Sequence, residues 1–354
     1  MALTNTTLQS NFTAPVNYVL MTELLKAARK VLPYFNGTLP GTLEKKQGSA
    51  SVKWRRVNNL ATATTPLAEV ATSSYGQGRS SVQATITDVT VAVQKYGNLI
   101  TTTEELDLIN VNSDSLAIMD VLGANAGESL NTLMATVFDA GTNTRYSAGV
   151  ASDAVTVSAF TVSDGKYIVN QLNRESAMKF MPLGFGSQNV GTTPVRNSYI
   201  GICHSDVEED IRALTGFSSV ETYGGYTQTM PGEFGALNGV RWVSTEMAPV
   251  NSGAGTTSAN GFRGGGTSLN DVYSSFIYGR EAVGSIGLGE MHAKEIYKMY
   301  DRVPTVDLIR HGPGTSGVAD PYNEAGTLAW KSWFAGKILN NSWIWAIHSL
   351  SASL

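Results

Sequence analysis

Four of the six tryptophans in this chain, Trp330, Trp333, Trp343 and Trp345, fall in one stretch near its end, DPYNEAGTLAWKSWFAGKILNNSWIWAIHS, Asp320 to Ser349. Aromatic side chains carry the largest apolar area per residue, and chain ends ordinarily fray. A tail this rich in indole has to be built into a core or an interface. It holds two lysines, one histidine and no cluster of catalytic groups, so its work is surface burial rather than turnover.

At 354 residues the chain has enough material for one large or two ordinary domains. Only 15% of residues are charged, against roughly 25% in typical soluble proteins. Thr, Ser, Ala, Asn and 36 glycines take their place. Charged side chains solvate free surface and are depleted from interface cores. The deficit points to a chain whose outside is largely covered; a secreted β-rich protein would have a similar composition. Net charge is -4 and the pI about 5.6. The densest basic pairs are Lys45-Lys46 and Arg55-Arg56, which argues against nucleic-acid binding through a basic stripe. The lone Cys203 excludes an internal disulfide framework and fits a reducing compartment. No apolar run approaches the ~18 residues of a membrane span. The opening MALTNTTLQSNFTAP lacks the basic and apolar regions of a signal peptide.

Residues 1 to 14 read as a polar arm. Pro15 suits a helix first turn, and Val16, Val19, Leu20, Leu24, Ala27 and Val31 recur at helical spacing up to Pro33. A membrane-surface helix could look similar, but only one end is basic. Ser51 to Val57 predicts a strand, and Val82 to Tyr96 another with a phase shift at Asp88 of the kind a β-bulge makes. Between them lies NNLATATTPLAEVATSSYGQGRSS, whose only charges are Glu69 and Arg79. It has too few large apolar groups for a core of its own. With β-prone flanks it reads as a long hairpin arm laid on another subunit, the alternative being a disordered loop.

Asp114 to Ala140 is the clearest helix. Ser113 or Asp114 caps it, Leu116, Met119, Leu122, Ala126, Leu130, Leu133, Met134 and Val137 form its stripe, and Gly141 ends it. Gly123 and Gly127 within it point to close backbone contact. Further on, helices are predicted over Ser163 to Met178 and over SDVEEDIRALTG, the second opened by a capping box of Ser205 and Glu208. Strands are predicted at Ser198 to Cys203, Gly239 to Glu246, Val272 to Tyr278 and Lys294 to Tyr300. Asn251 to Leu269 reads as a mobile, exposed Gly-rich loop. The tryptophan block reads as strands Leu328 to Leu339 and Ser342 to Ser349 around a turn at Asn340-Asn341.

Motifs for chemistry are missing. The chain has no Gly-x-Ser-x-Gly elbow and no Walker loop. GSIGLG, Gly284 to Gly289, lacks the strand-loop-helix context of a phosphate cradle. Cys203, His204 and Asp206 include metal-ligating types, but neighbours on a strand point to opposite faces and no second cluster completes a shell. Glu208, Glu209 and Asp210 sit in a helix's first turn, where the dipole alone accounts for acids. Arg55-Arg56 fits either simple solvation or an ion pair across a subunit boundary.

The order of arm, hairpin, long helix, mixed middle and strand-rich end resembles the major capsid proteins of tailed bacteriophages. The strings SVKWRRVNNLATATTPLAEV, VAVQKYGNLITTTEELDL, LGANAGESLNTLMATVFDAGTNTRYSAG, MPGEFGALNGVRWVSTEM and DPYNEAGTLAWKSWFAGKILN resemble the N-four-like (Enquatrovirus-type) branch. The likeness runs from about residue 15 to 349, and Asp320 to Asn340 is its most specific piece.

The resemblance implies an α+β fold of the tailed-phage capsid (HK-type) class. Its parts would be an N-terminal arm (1–37), an extended β-hairpin loop (38–93), a peripheral domain with the spine helix (94–146), an axial domain (147–291) and C-terminal strands returning to the peripheral domain (292–354). It implies hexamers and pentamers closing into an icosahedral virion shell around double-stranded DNA, with no sequence-specific DNA binding and no membrane. A portal protein, a separate scaffolding protein and a cement protein are the implied partners. No catalytic residue, cofactor or metal is implied. Trp54, Arg55, Arg56, Glu69 and Arg79 are the candidate inter-subunit contacts. A bacterial nanocompartment shell of the same fold, and a monomeric β-rich enzyme or adhesin, are the other readings.

Overall fold

Leu122, Ala126, Leu130, Met134 and Phe138 recur at every fourth residue, and all five are buried. That spacing makes the longest helix among the described residues, α1 (Asp114–Asp139), 26 residues and about 39 Å at 1.5 Å per residue. The structure, a computed structural model, describes residues 32–41, 51–58, 60–64, 82–104, 114–180, 197–222, 230, 232–256, 262–264, 269–286, 306–312, 322 and 324–352. Two shorter α-helices follow, α2 (Val162–Arg174) and α3 (Ser205–Arg212). The strands are β1 (Leu39–Gly41), β2 (Ser51–Val57), β3 (Ile86–Ala92), β4 (Gln94–Thr103), β5 (Thr144–Tyr146), β6 (Tyr199–His204), β7 (Ser218–Ser219), β8 (Glu233–Leu237), β9 (Val240–Thr245), β10 (Val250–Asn251), β11 (Val272–Tyr278), β12 (Val283–Ile286), β13 (Val306–His311), β14 (Ala325–Phe334), β15 (Gly336–Ile338) and β16 (Ile344–Ser349).

The largest sheet runs β5-β16-β11-β6-β9-β8-β7, with β10 paired to β11. Its middle is covered on both faces, so β11 is buried at every position. Alternation divides the side chains. Ile200, Ile202, Phe276, Tyr278, Ile344 and Ala346 pack with α1. Tyr199, Cys203, Tyr273, Ile277 and Ile347 pack with Ile168 and Leu172 of α2 and Val207 and Ile211 of α3. Gly201 lies between Tyr199 and Cys203 because an indole covers it: a Cβ there would sit 2.7 Å from the Trp242 ring.

The helix α1 also holds a second sheet, β13-β14-β4. Strand β14 alternates, with Leu328, Trp330 and Phe334 turned into the α1 core. The Trp330 indole N–H donates to Asn125 Oδ1 on α1 at 3.1 Å. Its pairing with β4 runs unbroken over ten residue pairs, from Ala325–Thr103 to Phe334–Gln94. A third small sheet, β1-β12-β15, joins three distant parts of the chain. The fourth is the ribbon β2-β3, seven antiparallel pairs from Ser51–Ala92 to Val57–Ile86.

Several local expectations need correction. The stripe of α1 includes Phe138, while Leu133 and Val137 lie at its half-buried margin; Leu116 and Met119 fall outside the described side chains. The predicted Val82–Tyr96 strand has no bulge at Asp88, which pairs regularly with Arg55. The break comes at Val93, where the chain leaves the ribbon for the β14 sheet. Val82 and Ile86 are exposed, so no buried face demanded the phase that their spacing implied. Helix α2 stops at Arg174 rather than Met178. Ser176 is left-handed, φ 53°, and the Trp343 indole N–H takes the Glu175 carbonyl at 3.1 Å.

Helix α3 is capped not by Ser205 but by His204, whose Nδ1 accepts the Asp206 N–H at 3.1 Å. Glu208 pairs with Arg212 instead. The two tryptophan-block strands do not pair with each other: β14 joins β13 and β4, and β16 joins β11 and β5. A 3-10 turn, Asn341–Trp343, capped by the Asn340 side chain, redirects the chain between them. In the Gly-rich loop the described Arg263 is exposed, as expected, and pairs with Asp206 at 3.0 Å. The N-terminal helix predicted over residues 15–31 and the strand over 294–300 lie outside the described residues.

Candidate assembly surface

The ribbon β2-β3 is anchored at one end and bare at the other. Val52, Trp54 and Val93 are buried with Ile286 of β12 and Ala335. The indole of Trp54 lies on two glycines; a Cβ on Gly41 would approach it to 2.7 Å and one on Gly284 to 2.9 Å. So Gly284, the first residue of the apparent glycine fingerprint, serves the packing of a side chain. Trp54, expected at a subunit boundary, is 8% exposed within its own chain.

Beyond that root the burial ends. Lys53, Arg55, Arg56 and Val57 are exposed, as are Leu60, Val82 and Ile86. Asp88 stands opposite Arg55 and accepts from its Nε at 3.1 Å, with Lys53 Nζ at 3.2 Å. The hydrogen bonds from Arg55, then Lys53, hold the Asp88 carboxyl below its ordinary value. Arg56 projects on the other side and donates to Asn58 Oδ1 at 3.2 Å. The structure thus assigns Arg55 a partner within its own ribbon. Glu69 and Arg79 lie outside the described residues.

Beside the ribbon's root lies a cleft of 640 Å³. It is lined by Trp54, Arg55 and Arg56 of the ribbon and by Glu175, Met178, Glu281 and Trp343 of the body. Two of its turns are left-handed at non-glycine residues, Ser176 (φ 53°) and Glu281 (φ 63°). Sequence reasoning missed these body-side residues, since nothing in the sequence joins positions 56, 175 and 281. It missed the partner of Arg55 as well, because the bulge expected at Asp88 is absent and an unbroken ladder sets Asp88 opposite Arg55.

The residues considered for chemistry serve structure. Cys203 is fully buried, and burial, then the nearby Glu208, pushes its thiol well above the ordinary value. His204 caps a helix. Among the described residues no group of three His, Cys, Asp or Glu side chains could hold a metal ion, and no helix is long and apolar enough to cross a membrane.

The sequence matches no family model and no curated protein. The fold, in contrast, has close counterparts among solved structures. The capsid of Ralstonia phage GP4 superposes with a TM-score of 0.61 at 11% identity, covering 87% of this chain and 85% of that one. The chain has the fold of a tailed-phage capsid subunit. The head of Helicobacter pylori bacteriophage KHP40 matches at 0.54 with 13% identity, over 90% of each chain. The capsid of cyanophage P-SCSP1u matches at 0.53 with 9% identity, over 91% and 89%. The mixed α+β fold class expected from the sequence is therefore the one observed.

Proposed function

We propose that this protein is a major capsid protein of a tailed bacteriophage, which assembles as hexamers and pentamers into the icosahedral shell of the virion around double-stranded DNA. One observation carries the reading: the capsid-subunit fold extends over about nine-tenths of the chain and of its counterparts. The bare ribbon supports it. A β-ribbon that buries only its root exposes apolar side chains that a neighbouring copy would cover, and such contacts repeated by symmetry close a shell. The acidic balance of -4 fits a container that holds DNA without gripping its phosphates.

The finer reading rests on the sequence strings above, which resemble the N-four-like branch. In it residues 1–37 form the arm, 38–93 the extended loop, 94–146 and 292–354 the peripheral domain with its returning strands, and 147–291 the axial domain. Arg55, Arg56, Glu69 and Arg79 meet a neighbour, with Trp54 setting the ribbon's root. The protein has no chemistry of its own and works with a portal, a separate scaffolding protein and a cement protein. Synthesis takes place in the host cytoplasm.

Electron microscopy of the expressed protein, alone and with the phage's head-assembly proteins, tests this. Closed shells of hexamers and pentamers are the expected outcome. A monomer that assembles under none of these conditions rejects it.

A further inference from the structure

At one end of the large sheet, four chain segments meet on Asp206. Its Oδ1 pairs with Arg263 at 3.0 Å, and its Oδ2 accepts the Tyr273 hydroxyl at 2.9 Å. Its carbonyl accepts from Ser351 Oγ at 2.7 Å. One turn along α3, Asp210 Oδ2 accepts the Ala352 N–H at 3.1 Å. Arg263 completes the loop, its N–H donating to the Ser351 carbonyl at 3.1 Å, and Phe262 bridges to Ala352. The end of the chain and the middle of the Gly-rich loop are therefore fastened to the first turns of α3, and to each other.

The first turn of α3 is held by a side chain that titrates. His204 Nδ1 accepts the Asp206 N–H, which requires that nitrogen to carry no proton. An imidazolium cannot accept there, and its positive charge would sit on the positive end of the helix dipole. We propose that His204 is a pH-operated catch: protonation removes the cap of α3, displaces Asp206, and frees both the chain end at Ser351–Ala352 and the Gly-rich loop at Phe262–Gly264.

The surroundings give the direction of response. Burial lowers the affinity of His204 for a proton; Asp206, a backbone hydrogen bond to Glu246 and the Glu246 carboxylate oppose that, and Arg263 reinforces it. The net shift is downward. Ser205 Oγ lies 3.5 Å from Nδ1, and the Tyr273 ring lies with its centroid 5.0 Å away. Asp206 Oδ2, 3.5 Å from Nδ1, would attract the charged ring, but doing so draws it from Tyr273 and Arg263. A histidine with a depressed pKa contributes stability that is complete above its unfolded value of about 6.5 and is lost as pH falls below it. Asp210 is shifted upward by burial, and its protonation would also weaken its hold on Ala352.

Hydrogen exchange of the full-length protein, corrected for intrinsic rates, tests the catch between about pH 7.5 and about pH 5.5. Amides of α3, Arg263 and Ala352 should lose protection by about five-fold at the lower pH, the factor that one lost helix cap carries. His204→Asn keeps an uncharged cap acceptor and should leave protection unchanged over that range. Equal protection of the natural protein at both pH values overturns the proposal, as does an unchanged pH response in His204→Asn. Nitrogen NMR of the natural protein supplies a check independent of that variant. Nδ1 should be unprotonated at the higher pH and gain its proton together with the loss of protection, and a ring already protonated at neutral pH overturns the proposal.

Discussion

Trp330 and Trp333 stand three residues apart on β14, and the structure separates their energetic roles. Trp330 is 2% exposed, in the core shared with α1. Trp333 is half-buried, with Lys95 Nζ 5.0 Å from its ring centroid. Trp330→Ala deletes a fully buried indole and leaves a cavity between helix and sheet, at a cost of about 3–5 kcal/mol. The lost hydrogen bond adds little, because Asn125 Oδ1 still accepts from Asn98 at 3.3 Å. Trp333→Ala removes a partly solvated ring and a cation–π contact, together about 2 kcal/mol or less. With a urea slope of about 3 kcal/mol/M, Trp330→Ala moves the unfolding midpoint of the unassembled subunit by about 1–1.7 M. Trp333→Ala moves it by less than about 0.7 M. Equal shifts for the two variants, or a Trp330→Ala shift near zero, would refute the assignment of β14's inner face.

Deleting residues 60–81 should leave a folded subunit that forms no shells, read by circular dichroism and electron microscopy; an unfolded product would contradict the reading that this segment contributes little to the subunit's own core. Gly201→Ala should cost about 1–3 kcal/mol, because its Cβ meets the Trp242 ring at 2.7 Å; a melting temperature equal to the natural protein's would count against that contact. The Asp88 carboxyl is held below its ordinary value by Arg55 and Lys53. The pairing it supports is therefore complete above about pH 4 and is lost as pH falls through the lower folded value. Amide protection of β2 and β3 should drop in that acid range, and Asp88→Asn should show the weaker protection already at neutral pH.

How far the sequence could be read depended on what each segment buries. The four-residue apolar spacing of α1 and the strands Ser51–Val57 and Val272–Tyr278 were legible because their patterns report directly on a covered face or a regular ladder. Val82 to Tyr96 misled because its first half faces solvent, so apolar periodicity there carries no information about packing. The His204 cap was hidden by a better-known capping residue immediately after it. The separation of β14 from β16 depends on partners that lie more than 200 residues earlier in one case, Thr103 for Ala325, and on no local signal. For the candidate assembly surface, the pairing of Arg55 with Asp88 rests on an unbroken register where the sequence suggested a bulge, and the cleft wall of Glu175 and Glu281 exists only through tertiary folding.

The root of the ribbon has a consequence for timing. Trp54 is seated by β12 and by Ala335, beside β15, which pairs with β12. Synthesis runs from the N-terminus, so the seat for this early side chain is finished only when residues near 338 have left the ribosome. A nascent chain cannot aim its ribbon before then.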